Sequence, residues 1–239
     1  MQPQKQERQW TVKNVNTGNE TRSGLRVQVL VAAALALAGV WLAGCRTTVY
    51  KPGDRAADAA QAAAIAIQTE GQSLTGTMST LNDLVDNPGA DLKPQFRNFN
   101  AALDSLVAAR KRGEAARDHL ARSSAAFFAD WDKQLTTMTN IDVRTRSEAR
   151  KADVSRQLDA ANNRCIQAQE SLRSSVGYLQ DIRRALSTDL TRNGVEAVKS
   201  LVRNANTTVS TVQADLTQAS TELKALSAQM SSGRTPITQ

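Results

Sequence analysis

The sequence predicts an all-α protein: an elongated, antiparallel four-helix bundle with coiled-coil-like long helices, set behind an N-terminal lipoprotein signal peptide. Three observations carry this. Apolar residues recur at 3-4 spacing along most of the chain. Only three polar interruptions break that pattern. Aromatics make up 4% of 239 residues, with five prolines and twelve glycines, too few for the turns and strands of a sandwich or barrel.

The first helix is expected over residues 54–86. Eight of the eleven residues from Ala56 to Ala66 are alanine, the best helix former. Its stripe is Ala60, Ala64, Ile67, Gly71, Leu74, Met78, Leu81 and Val85. Asn87-Pro88-Gly89 is a turn signal, and Pro94 suits the first turn of a second helix over 92–138. That helix opens on Phe96, Phe99, Leu103 and Leu106, then shifts through Ala109, Gly113 and Ala116 to Leu120, Phe127 and Trp131.

The polar stretch Thr139-Asn140-Ile141-Asp142 breaks the pattern again. Thr145-x-x-Glu148 fits a capping box, so a third helix is expected over 143–191. Its stripe runs from Val154 through Ala161, Cys165, Ala168, Leu172 and Leu179 to Leu186. Arg192-Asn193-Gly194 reads as a stop, and a fourth helix over 195–230 has the cleanest stripe, from Val195 to Met230. Short connections make consecutive helices antiparallel neighbours. Small stripe residues let helices approach and large ones hold them apart. Gly113 and Gly177 are the candidate kinks.

The N-terminus reads as an export signal. Residues 1–26 form a basic n-region, with Lys5, Arg8, Lys13, Arg22 and Arg26 against Glu7 and Glu20. Val27 to Gly44 is an h-region of eighteen uncharged residues, and Cys45 follows. The segment Leu42-Ala43-Gly44-Cys45 resembles the lipobox of bacterial lipoproteins. That resemblance implies cleavage between Gly44 and Cys45 and acylation of the Cys45 thiol. Two other readings compete: an uncleaved transmembrane anchor, since eighteen apolar residues nearly span a bilayer, and an Ala-rich buried helix. The expected organisation is a signal peptide over 1–44, a lipid-anchored tether over 45–53, a bundle over 54–230 and a flexible tail over 231–239.

Charge excludes some functions. Behind Gly44 the chain carries 25 basic and 21 acidic residues, a net +4, unlike a dedicated nucleic-acid binder. One histidine and two cysteines leave no zinc spacing and no His-based triad, so no metal, cofactor or catalytic residue is expected. Walker, GxGxxG, HExxH, CxxC and GxSxG motifs are absent from the sequence.

Four features remain. Cys165 lies on the third stripe, as a buried free thiol or as the source of an intermolecular disulfide. His119 reads as a solvated or boundary residue. Arg110, Lys111, Arg112, Arg117 and Arg122 form the most basic stretch, with Glu114 and Asp118 interspersed and Asp118 spaced to pair with Arg122. It is either a salt-bridged solvent face or a face for anionic lipid or envelope polymer. Phe127 and Phe128 point different ways, so Phe128 packs on a further helix or stands exposed as an anchor for a partner.

Phe128-Ala129-Asp130-Trp131-Asp132-Lys133-Gln134-Leu135, followed by Arg146-Ser147-Glu148-Ala149-Arg150-Lys151, resembles the bacterial DUF2959 family of unknown function. The resemblance spans about residues 54–230. It implies a lipoprotein-like leader and a long helical hairpin, and it transfers no site residue.

These readings converge on a non-enzymatic, lipid-anchored scaffold or adaptor at the periplasmic face of the cell envelope. Arg46 replaces the aspartate expected of inner-membrane retention, which favours the outer membrane. The expected partners are the membrane, through acylated Cys45, and an envelope protein. Self-association through the stripes is a further expectation, and nucleic acid is not one. The alternative is a binding module for anionic polymers or lipids. An enzyme fits the composition least.

Overall fold

The computed structural model describes residues 51–232; the expected signal peptide, Gly44, Cys45 and most of the tail lie outside them. Four helices follow in order: α1 (Lys51–Asp86), α2 (Lys93–Thr137), α3 (Ile141–Thr188) and α4 (Arg192–Met230). They form an antiparallel bundle. Helix α1 packs between α2 and α4, and α3 closes the ring against α4 and α2. The helix pairs α1/α3 and α2/α4 lie on diagonals.

The predicted stripes form the core. Ala60, Ala64, Ile67, Leu74, Leu81, Phe99, Leu103, Leu106, Leu172, Leu179, Leu186, Leu216 and Leu223 are all buried. Residue size sets the spacing of the helices. Ala56, Ala57, Ala59, Ala60, Ala63 and Ala64 are buried, and α1 lies close to both neighbours. The α2/α3 seam carries Phe127, Phe128, Trp131 and Leu158 and is the loosest of the four.

Polar groups set the register of α1 against α4. The Ser227 hydroxyl donates to the Ala57 carbonyl at 2.7 Å, and Ser220 donates to Ala64 at 3.0 Å. One heptad further along, the Gln213 amide lies against Gly71, where an added Cβ would stand 2.9 Å from Nε2. Seven residues further along α4 and eleven along α1, Asn206 and Asn82 exchange amide hydrogen bonds at 2.9 and 3.0 Å. Sliding α4 by one turn would break all four pairings and bury the serine hydroxyls unpaired.

The helix ends correct several expectations. Helix α1 begins at Lys51, so Pro52 and Gly53 belong to its first turn rather than to the tether. Proline is tolerated there because first-turn amides lack intrahelical acceptors. Helix α3 begins at Ile141, and its cap is Asn140, not Thr145: Asn140 Oδ1 accepts from the Asp142 and Val143 amides at 3.0 and 3.1 Å. Arg192-Asn193-Gly194 opens α4 instead of ending α3, because the Thr191 hydroxyl accepts from the Gly194 amide at 3.1 Å. Gln95 secures the first turn by accepting from the Gly89 amide and donating to the Asn87 carbonyl, both at 3.0 Å. Both proposed kink sites lie inside unbroken helices.

Candidate functional site: a buried carboxyl beside a divided basic stretch

Glu70 is the unexpected residue of the core. It lies on α1 three residues beyond Ile67, inside the apolar stripe, and is fully buried. Gly113 of α2 makes the room: a Cβ at that position would collide with the Glu70 carboxylate. From the opposite helix, Gln169 Nε2 donates to Glu70 Oε1 at 3.3 Å. A buried carboxyl thus bridges the diagonal of the bundle.

Burial raises the Glu70 pKa from 4.5 to about 8; Glu114 adds to the rise, while the Gln169 hydrogen bond, Arg110 and Arg117 oppose it. Hydrogen bonding agrees with a neutral acid. Glu70 Oε2 and Gln169 Oε1 are both buried without a partner. A proton on Oε2 removes the charge that burial penalises and turns an orphaned acceptor into a donor. Burial likewise pushes the Cys165 thiol to about 12, with Glu222 and Glu70 contributing in the same direction. Cys165 is therefore a buried, inert thiol of the core.

The five predicted basic residues do not share one face. Arg110 and Arg117 lie seven apart, on the flank nearest Glu70, and are half-buried. Arg110 pairs with Glu114 at 2.5 Å, and Arg117 meets Asp118 at 3.5 Å, so the expected Asp118–Arg122 pair is not formed. Lys111, Arg112 and Arg122 are exposed and carry no ion pair among the described residues. Lys111 and Arg122, eleven apart, share one face, while Arg112 points elsewhere. His119 is exposed.

Phe127 is buried and Phe128 half-buried, with ring centroids 5.3 Å apart; Trp131 lies 5.2 Å from Phe127. Phe128 and Leu158 line one groove of about 230 Å³ between α2 and α3. Phe128 thus faces α3 and is no free anchor. A second groove of about 390 Å³ lies between α3 and α4, lined by Tyr178, Leu179, Ala205 and Val209. Neither groove includes Glu70, Gln169 or Cys165 in its lining. Among the described residues, no group of His, Cys, Asp and Glu is arranged to hold a metal ion, and no helix is long and apolar enough to cross a membrane.

Sequence reasoning missed Glu70, Gln169 and the α1/α4 polar pairs. Two signals were present. Glu70 continues the 3-4 spacing from Ile67 to Leu74, and Asn206, Gln213, Ser220 and Ser227 recur every seven residues beside the α4 stripe.

A family model described as "Protein of unknown function (DUF2959)" matches residues 50–230. The chain belongs to the DUF2959 family. The match covers every described helix and starts one residue before α1. The likeness seen around Phe128–Lys151 therefore extends over the whole bundle of this DUF2959 protein. Comparison with curated proteins and with solved structures returned no match.

Proposed function

We propose that this DUF2959 protein is a non-enzymatic, lipid-anchored scaffold or adaptor of the bacterial cell envelope, held at the periplasmic face through acylated Cys45. The observation that carries the reading is Leu42-Ala43-Gly44-Cys45 at the end of an uncharged eighteen-residue stretch, six residues before α1 begins. Acyl chains contribute about 0.8 kcal/mol per buried CH₂, so several chains anchor firmly. A bundle whose core is filled by its own side chains offers partners a surface rather than a reaction chamber. Arg46 favours the outer membrane.

Labelled palmitate tests this directly. Label in the parent and none in Cys45→Ser, with the variant retained as precursor, supports the anchor. Membrane association of both without label identifies 27–44 as a transmembrane helix and removes the lipoprotein reading.

A second reading is a binding module for anionic envelope polymers or lipids. It draws on Lys111, Arg112 and Arg122, whose charges are exposed and not neutralised by ion pairs. Salt-sensitive cosedimentation with cell-wall material, lost in Lys111→Gln/Arg122→Gln, supports it; no binding at low salt removes it.

A further inference from the structure

Among the described residues, the α2–α3 hairpin extends past the start of α1 and the end of α4. The Thr77 hydroxyl donates to the Ala102 carbonyl at 3.1 Å, which fixes the antiparallel register of α1 and α2. In that register Lys51 is level with Phe128, and nine further residues of α2 continue to Thr137. At 1.5 Å per residue this overhang is about 14 Å. Helix α4 stops at the same level as α1, because Ser232 donates through its amide and hydroxyl to Asp54 at 3.0 and 2.9 Å.

The overhang is braced. Trp131 Nε1 donates to Ser147 Oγ at 2.9 Å, and Lys151 pairs with Asp132 at 2.5 Å across the two helices. At its tip stand Ile141 and Val143, 59% and 55% exposed, the two most exposed large hydrophobics among the described residues. The Asn140 cap ties the backbone at Asp142 and Val143 and so fixes this pair in the first turn of α3. Lys133 and Arg146 are exposed on the same hairpin, half-exposed Arg144 pairs with Glu148 at 3.8 Å, and Asp142 is exposed between the two apolar residues. The three cations outnumber Asp142 and Glu148, and an exposed apolar pair with a small positive excess suits the boundary between acyl chains and anionic headgroups.

We infer that the α2–α3 tip is a second membrane-contact site, seating Ile141 and Val143 on the bilayer that holds Cys45. The inference rests on acylation of Cys45. Its geometric basis is reach. Five residues separate Cys45 from Lys51, and the six steps between them span at most about 20 Å. Helix α1 has 36 residues and is about 54 Å long. With Cys45 at the surface, the bundle cannot stand with its far end on the membrane and its tip pointing away. Upright, the overhang takes up most of the tether's reach and brings the tip to the headgroups.

The test uses the acylated full chain in vesicles of phosphatidylethanolamine and phosphatidylglycerol. An environment-sensitive fluorophore is placed through Val143→Cys at the tip, or Ala90→Cys in the loop at the opposite end; Cys165 is buried and Cys45 is blocked by lipid. The expected result is a blue-shifted emission at 143 and several-fold stronger quenching by nitroxide-bearing lipid than at 90. Ile141→Glu/Val143→Glu, checked for unchanged helicity, is expected to expose Arg144 and Arg146 of the vesicle-bound protein to trypsin several-fold faster than in the parent. Equal quenching at 143 and 90, with palmitate present on Cys45, overturns the tip contact and leaves the anchor. Absence of palmitate on Cys45 overturns both, and the acyl label distinguishes the two failures.

Discussion

The Glu70 carboxyl occupies the space that any side chain at position 113 would need. One residue is buried and acidic, its neighbour across the α1/α2 interface is a glycine, and each accounts for the other. In an exposed helix, glycine costs about 0.5–1 kcal/mol relative to alanine. Here the glycine admits a group that burial penalises, so α2 loses helix propensity in order to seat Glu70.

Gly113→Ala is therefore expected to destabilise the bundle by about 1–3 kcal/mol, since the new methyl meets a carboxyl with nowhere to move. Gly177→Ala supplies the contrast: an added Cβ there meets nothing within 4 Å, so the gain in propensity should stabilise by about 0.5–1 kcal/mol. Denaturant unfolding of both variants checks the pair. Combining Gly113→Ala with Glu70→Ala should recover part of the loss, because the two sites are in contact.

Stability should fall with rising pH over a defined window. Glu70 has its folded pKa raised from 4.5 to about 8, so between those values the folded state holds a proton that the unfolded chain releases. Its contribution is complete below pH 4.5 and is lost as pH approaches 8, with a slope of at most about 1.4 kcal/mol per pH unit. Glu70→Gln keeps the size and the pairing with Gln169 but cannot ionise. Its unfolding free energy should lack that slope and exceed the parent's above pH 8. A parent with the same pH profile as Glu70→Gln would show that Glu70 is charged in the folded state.

The α1/α4 register should depend on Ser220 and Ser227. Ser220→Ala and Ser227→Ala each remove one buried hydroxyl-to-carbonyl bond and should cost about 0.5–1.5 kcal/mol. Ser220→Leu forces a large side chain against Ala64 and should cost more, about 1–3 kcal/mol. Thermal unfolding at fixed protein concentration orders the three.

Cys165 should resist thiol reagents in the native protein. Its thiol is buried, and its pKa is pushed to about 12 by burial and by Glu222 and Glu70. Maleimide labelling is expected to be negligible in buffer at neutral pH and complete in denaturant. Rapid labelling without denaturant would mean that α3 opens locally around Ala161–Ala168.

The sequence by itself determined the four helices, their antiparallel order and most of the core, because a 3-4 stripe broken at short polar turns leaves a chain few other ways to bury its apolar residues. Ala60 and Ala64 of α1 and the buried leucines of α3 were legible from spacing alone. Caps were read less well. Asn140 and Thr191 act through side-chain oxygens that accept from one or two first-turn amides, and which amides they meet depends on where the backbone enters the helix, which spacing does not encode. Only the tertiary structure decided which helix pairs lie close, which faces of α2 turn inward, and that Glu70, Gly113 and Gln169 meet. Those residues stand 43 and 56 positions apart along the chain. Periodicity tells which residues of one helix share a face. Which residues of three helices share a level depends on register, and register is settled by the packing of small residues against polar ones across the whole bundle.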